Sequence, residues 1–288
     1  MYPAAFEYHA PSSVQEALGL LGKLDEAKIL AGGHSLVPMM KLRLAQPKHL
    51  IDLRKVPGLS GIKEEGSTLV IGAMTTHWEV ESSKLLQAKC PVLCETAKII
   101  GDPAVRNKGT IGGSLAHADP AADMPATVIA LGAEFVCQGP KNRRTVKVDD
   151  WFQGLMSTAL GEDELLVEIR VPALAAGTGA AYLKFAHPAS RFAIVGAAAV
   201  VTVDAQGTCT KAGVGITGAG TKAVRARGVE AGLVGKRLDA ATIEAAAQKA
   251  AEGVDVQADL QGSVEYKSHL CRVFARRAIE AAVQNARR

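Results

Sequence analysis

A chain of 288 residues with 48% hydrophobic and 22% charged residues carries enough apolar material for one large domain or several lobes with real cores. Its net charge of +4 is scattered, with Arg143-Arg144 and Arg276-Arg277 as the densest clusters and no aromatics among them, which gives no support to nucleic acid as a partner. No run approaches the roughly 20 apolar residues that span a bilayer, no basic-then-apolar leader opens the chain, and five cysteines without a tight four-thiolate run argue against both a disulfide framework and an iron–sulfur cluster.

In chain order, Ser13-x-x-Glu16 has the form of a capping box, and Val14, Ala17, Leu18, Leu21 and Leu24 follow at helical spacing. A short strand over 28–30 runs straight into Ala31-Gly32-Gly33-His34-Ser35, then a helical stretch over 36–44 and a strand over 49–53. Another strand covers 68–72, and Thr76-x-x-Glu79 opens a second capped helix. Pro91 suits the first turn of a helix that Gly101 ends. After an irregular stretch over 102–108 comes a second glycine-rich segment, Gly109-Thr110-Ile111-Gly112-Gly113-Ser114, then a polar loop and a short apolar helix from Met124-Pro125. Strands over 133–138 and 144–148 flank a turn, and 165–171 is a strand stopped by Pro172. Small residues over 173–179 mark a lobe boundary. Beyond it lie strands over 180–186, 193–203 and 211–216, a helix capped by Asp239, and a long helix from about Val264. Gly215-x-x-Gly218-x-Gly220 reads as a loop. This order predicts an α+β chain: two mixed lobes followed by a small sheet-plus-helices domain.

The two glycine segments carry the chemistry. A turn free of side chains exposes successive backbone N–H groups that form an anion-binding nest, and a helix beginning there adds its positive end. Two such turns facing each other clamp a pyrophosphate, with Ser35, Thr110 and Ser114 as hydroxyl donors. Taken singly, either segment reads more readily as an ordinary tight turn. There is no G-x-G-x-x-G after a strand, no P-loop and no H-E-x-x-H or similar metal-ligand spacing, so no metal site is expected. Catalytic nucleophile–base pairs are not legible either. Asp123 reads as the cap of the helix behind it, Lys184 as a surface lysine, and His34 and His117 as structural.

Ile29-Leu30-Ala31-Gly32-Gly33-His34-Ser35-Leu36 and Arg106-Asn107-Lys108-Gly109-Thr110-Ile111-Gly112-Gly113-Ser114 resemble the paired FAD signatures of the medium subunit of molybdenum hydroxylases. That family includes carbon monoxide dehydrogenase, aldehyde oxidoreductases and the flavin domain of xanthine dehydrogenase. Phe6-Glu7-Tyr8-His9-Ala10-Pro11 and Leu36-Val37-Pro38-Met39-Met40-Lys41-Leu42-Arg43 are similar to the carbon monoxide dehydrogenase type, and the likeness spans nearly the whole chain.

The resemblance implies a two-lobed FAD-binding domain of the vanillyl-alcohol-oxidase/PCMH type over 1–175, with lobes of about 1–55 and 56–175, and a C-terminal flavoprotein domain over 180–288. It implies that Ala31, Gly32, Gly33, His34 and Ser35, with Thr110, Ile111, Gly112, Gly113 and Ser114, hold the pyrophosphate, and that Ile29, Leu30 and Leu36 complete the cofactor-binding set. Asp123 matches an aspartate that hydrogen-bonds the cofactor, Leu166 an apolar contact, Lys184 a lysine near the flavin, and Ile100 and Gly101 a lining segment. It further implies an electron relay from an iron–sulfur small subunit, alongside a molybdenum-binding large subunit, to an external acceptor such as a quinone or NAD. The assembly would be a dimer of heterotrimers in the cytoplasm, meeting the inner face of the membrane through its acceptor. The segment Phe185-Ala186-His187-Pro188-Ala189-Ser190-Arg191-Phe192 is less charged than in carbon monoxide dehydrogenases, which leaves the substrate open. A stand-alone FAD-dependent reductase and a non-enzymatic nucleotide-binding module are the alternative readings.

Overall fold

The computed structural model describes residues 1–287. The chain opens with β1 (Glu7–His9), α1 (Val14–Leu21), β2 (Ala27–Leu30), α2 (Leu36–Lys41) and β3 (His49–Asp52). The three strands form a parallel sheet in the order β1-β3-β2. Ser13 caps α1, its hydroxyl accepting from the Glu16 N–H at 3.1 Å. The reciprocal half of the expected capping box is displaced by one residue, since the Glu16 carboxylate accepts from the Ser12 N–H at 2.7 Å. Ala17 and Leu18 of α1 bury against Ile51 and Leu53, in a core shared with Val136, Leu165 and Val167 from the next sheet.

That next sheet is built from β4 (Ile62–Glu65), β5 (Thr68–Gly72), β6 (Glu134–Gln138), β7 (Arg143–Lys147) and β10 (Leu165–Pro172). It is antiparallel, in the order β4-β5-β10-β6-β7. Between β5 and β6 lie α3 (His77–Ser82), α4 (Lys84–Lys89), α5 (Pro91–Lys98), α6 (Pro103–Arg106), α7 (Ile111–His117) and α8 (Asp123–Leu131), and a small hairpin, β8 (Phe152–Gly154) with β9 (Ser157–Thr158), precedes β10. The Thr76/Glu79 box forms in full. The helix from Pro91 ends at Lys98, three residues before Gly101. Trp151 is fully buried, stacks on Phe135 with ring centroids 4.3 Å apart, and donates its indole N–H to the Leu115 carbonyl at 2.9 Å. That bond ties the middle of α7 to the sheet beneath it.

The remainder is a four-stranded antiparallel sheet with helices behind it. Its strands β11 (Thr178–Ala186), β12 (Ala193–Val203), β13 (Cys209–Thr217) and β14 (Val224–Arg225) pair in sequence order. Their outer face packs on α9 (Arg227–Leu233), α10 (Ala240–Ala247) and α11 (Val264–Ala286). The other face receives α8. Successive side chains of a strand point to opposite faces, so Ala212, Val214 and Ile216 enter the outer core while Gly213 and Gly215 turn toward α8. A Cβ at Gly213 would lie 2.1 Å from the Ala130 carbonyl oxygen, and one at Gly215 2.2 Å from that of Ala126. Gly215, the first glycine of the segment read as a loop and also within the strand expected over 211–216, sits inside β13, where the missing side chain lets two backbones touch. All nine residues of α8 are buried. The fold is α+β, as expected, and no helix among the described residues is long and apolar enough to cross a membrane.

Candidate cofactor site

Two chain segments meet at the mouth of the first sheet. β2 ends at Leu30, and residues 31–35 turn into α2, with Gly33 at φ +77°. Leu30 packs with Met40 and Leu50, Leu36 and Val37 lie against them, and Ile29 joins the core on the other side. These apolar contacts hold the turn from beneath. A Cβ at Gly32 would lie 2.2 Å from the Lys108 carbonyl oxygen and 2.7 Å from Gly109 Cα, so the first turn leans directly on the backbone that leads into the second. The N–H groups of Gly32, Gly33, His34 and Ser35 donate to no acceptor among the described residues. Four consecutive unspent amides are the donor set that an oxyanion requires.

The second segment differs from the expected turn. Thr110 caps α7, and Ile111 to Ser114 are its first helical turn. The amides there are already spent: Ile111 N–H on the Thr75 carbonyl (3.0 Å), Gly112 N–H on Ala73 (2.9 Å), Gly113 N–H on the Thr110 hydroxyl (3.0 Å) and Ser114 N–H on the Thr110 carbonyl (3.0 Å). The first two of these bonds rivet the segment to the strand end that also carries Ala73, whose own N–H donates to Val167. What remains toward the first turn is the side-chain-free face of Gly113, where a Cβ would lie 2.7 Å from the capping Thr110 hydroxyl and 3.4 Å from Ala31 Cβ, and the half-buried Ser114. The nest expected on both segments exists on the first alone.

A second group of predicted residues gathers at the joint between α5 and β11. Lys184 donates to the carbonyl of Ile99 (3.0 Å), the carboxylate of Asp123 (2.8 Å) and the carbonyl of Arg191 (2.6 Å), which uses all three ammonium protons. Arg106 donates to the Ile100 carbonyl at 3.1 Å while its other arm pairs with Glu81 at 2.8 Å. Arg191, at φ +62°, donates to the Gly101 carbonyl at 3.3 Å. Three successive carbonyls, from Ile99 to Gly101, thus face three cations. Gly101 itself takes φ +48°.

Asp123 does not cap α8. The cap position is Ala122, and the carboxylate instead accepts from the Tyr182 hydroxyl at 2.6 Å and from Lys184. Burial lifts its carboxyl above the usual range against the pull of Lys184 and Tyr182, and burial, then Asp123, raises the Tyr182 phenol well above its ordinary value. Lys184, expected at the surface by residue type, has a side chain only 5% exposed. Leu166 lies in the core at a bulge of β10, the strand on which α7 packs. It supports the α7 segment from beneath.

Sequence reasoning passed over His77. Its backbone N–H donates to the Gly109 carbonyl at 2.9 Å, its ring lies under Gly109, and its Nδ1 is buried with no hydrogen-bond partner among the described residues. Burial, with lesser contributions from His34 and Arg106, pushes the imidazole down to about 4. The only sequence signal for it is its place directly after the Thr76 cap. Tyr182 was passed over as well, and Arg106 and Arg191, though they lie in segments singled out from the sequence, were given no role of their own, because these roles depend on contacts across 6 to 90 residues of chain.

Residues 4–174 match the model of the FAD binding domain in molybdopterin dehydrogenase, and residues 180–282 that of the CO dehydrogenase flavoprotein C-terminal domain. The chain is 48% identical to the carbon monoxide dehydrogenase medium chain of Hydrogenophaga pseudoflava over 283 residues, covering 98% of each. It is 38% identical to the 6-hydroxypseudooxynicotine dehydrogenase complex subunit alpha of Paenarthrobacter nicotinovorans, covering 100% of this chain and 97% of that one. The solved carbon monoxide dehydrogenase from Hydrogenophaga pseudoflava lacking the Mo-pyranopterin moiety superposes with a TM-score of 0.96 at 49% identity, over 99% of both chains. Taken with the paired glycine segments, these matches make FAD the cofactor and oxidoreduction the activity. The chain belongs to the FAD-binding medium subunits of the molybdenum hydroxylases.

Proposed function

We propose that the FAD pyrophosphate lies between residues 31–35 and the opening of α7, within the two sets expected from sequence, Ile29 to Leu36 and Thr110 to Ser114. The observation that carries this is the run of four unspent amides from Gly32 to Ser35, set against the bare Gly113 face. The amides answer the phosphate charge, and the Ser114 hydroxyl adds a donor from the opposite side. Ile100 and Gly101 line the flavin, their carbonyls oriented by Arg106 and Arg191. Leu166 supports the site through the core. Asp123 and Lys184 act as positioning residues: the carboxylate fixes the ammonium, which holds the Ile99 and Arg191 carbonyls. With every ammonium proton engaged, Lys184 contributes its charge and its grip on the backbone.

Bound FAD supplies the capacity to take electrons singly and release them as a pair. The chain then serves as a relay from the iron–sulfur small subunit of a molybdenum hydroxylase to an external quinone or NAD, beside a molybdenum-binding large subunit in a dimer of heterotrimers. Residues 1–175 form the FAD-binding domain and 180–288 the C-terminal domain, and the assembly works in the cytoplasm at the inner membrane face. The substrate is selected on the large subunit. Similar chains are named for carbon monoxide and for 6-hydroxypseudooxynicotine dehydrogenases, which fits a relay that does not touch substrate.

The test is the visible spectrum of the purified chain supplied with FAD, for the wild type and for Gly33→Asp and Gly113→Asp. The wild type is expected to turn yellow and release FAD on denaturation, and both variants to stay colourless while keeping their far-ultraviolet circular dichroism. Equal FAD retention in all three proteins defeats the placement of the pyrophosphate.

A further inference from the structure

We propose that Glu7, His9 and His49 form a binding site for one divalent transition-metal cation of the Zn2+ class, stapling β1 to β3. The sequence holds no contiguous metal-ligand spacing, because the two histidines are 40 positions apart and meet only through strand pairing. In the parallel ladder Glu7 stands opposite His49 and His9 opposite Ile51. Glu7 and His9, two apart on one strand, share a face, and His49 enters between them from the neighbouring strand. Tyr8 points the other way, where its hydroxyl meets Asp52 at 2.7 Å.

Three donor atoms converge there. His49 Nδ1 lies 3.1 Å from His9 Nε2 and 3.4 Å from Glu7 Oε2, and His9 Nε2 lies 4.0 Å from the same oxygen. Ligands held about 2.0–2.1 Å from a tetrahedral ion stand roughly 3.3–3.4 Å from one another, and the three observed separations bracket that value. Two neutral imidazoles and a carboxylate are a ligand set that binds Zn2+ and leaves a fourth position for water. The side chains of His9 and His49 are 24% and 18% exposed and Glu7 is 74% exposed, so an ion reaches the site from solvent. Among the described residues the Glu7 carboxylate has no lysine or arginine partner, and the neighbouring Lys48 is engaged with Glu26 at 2.7 Å. Metal entry requires both facing nitrogens to offer lone pairs. The proton now shared between the two rings moves to the remote nitrogen of its own imidazole, with no net proton change.

β1 is only three residues long, so a metal clip would add a cross-link where the backbone ladder of this sheet is shortest. The inference is independent of the FAD reading. The test is titration calorimetry of the full chain, freed of metal by chelator, with Zn2+, together with its thermal midpoint. One Zn2+ per chain is expected, with a rise in the midpoint. His9→Asn and His49→Asn should each weaken binding on the order of tenfold or more, whereas His187→Asn, on the exposed 187–192 loop, should leave it unchanged. Glu7→Gln, at an exposed position that leaves folding intact, should weaken it as well. Absence of Zn2+ uptake by the wild type, or equal uptake by the Glu7 and histidine variants, overturns the proposal.

Discussion

The ammonium of Lys184 lies 2.8 Å from the carboxylate of Asp123, and each side chain is 5% exposed. The pair joins α8, within the region matching the FAD domain, to β11, within the region matching the C-terminal domain. Removing one partner of a buried pair leaves the other charge without compensation, at a cost of roughly 3–5 kcal/mol. Lys184→Met is therefore expected to lower the urea midpoint by a corresponding amount and to weaken FAD retention, since the Ile99 and Arg191 carbonyls lose their shared donor. Lys184→Met combined with Asp123→Leu should recover much of the stability and none of the retention. Parallel recovery of both would remove the positioning role.

His77 gives the chain an acid-sensitive element. Its folded value of about 4 lies below the ordinary 6.5. The unfolded chain therefore binds the extra proton first, and the stability that His77 provides is complete above pH 6.5 and lost as pH falls toward 4. Between pH 7 and pH 5 the loss amounts to about 2 kcal/mol. Urea midpoints measured across that range should fall for the wild type and fall less for His77→Gln. Equal slopes for the two proteins would place the acid sensitivity elsewhere.

Gly32→Ala puts a methyl group 2.2 Å from the Lys108 carbonyl oxygen, with backbone rather than a flexible side chain as the obstacle. The two segments must separate, and FAD affinity should drop by at least about tenfold, roughly the 1.4 kcal/mol that a small displacement of several hydrogen bonds costs. Gly19→Ala is the control. That exposed position of α1 has nothing within 4 Å of the added methyl, and the substitution should stabilise the chain by about 0.5–1 kcal/mol with FAD affinity unchanged. Fluorescence titration of apoprotein with FAD reads both.

All five cysteines are buried and unpaired. Burial pushes the thiols of Cys90 and Cys271 up to about 12 and those of Cys94 and Cys137 up to about 11. The native chain should be inert to an aromatic disulfide reagent at pH 8 and should release five equivalents of colour once denatured. A fast-reacting thiol in the native protein would reveal an opening of the core.

The features read correctly from sequence were local. Thr76 and Glu79 form their box because the cap and its partner are three residues apart, and residues 31–35 turn as read because glycine permits Gly33 its positive φ. What was misread depended on distant partners. The amides opening α7 look free in the sequence, but Thr75 and Ala73 consume two of them from another part of the chain. Asp123 has the residue type and position of a helix cap, yet Tyr182 and Lys184, some 60 residues later, draw its carboxylate away. The cation on each carbonyl from Ile99 to Gly101 and the meeting of His9 with His49 belong to the same class.

The glycines of β13 that admit α8 also bear on how the chain can be divided. α8 precedes the 173–179 segment, but one side of it is covered only by the sheet that follows that segment. A gene cut there would release an N-terminal fragment with a greasy helix open to water, prone to self-association, and a C-terminal fragment whose sheet has lost its lid. Subunit swaps and fusions between members of this family should therefore exchange the whole polypeptide, since the seam visible in the sequence is not a seam in the packing.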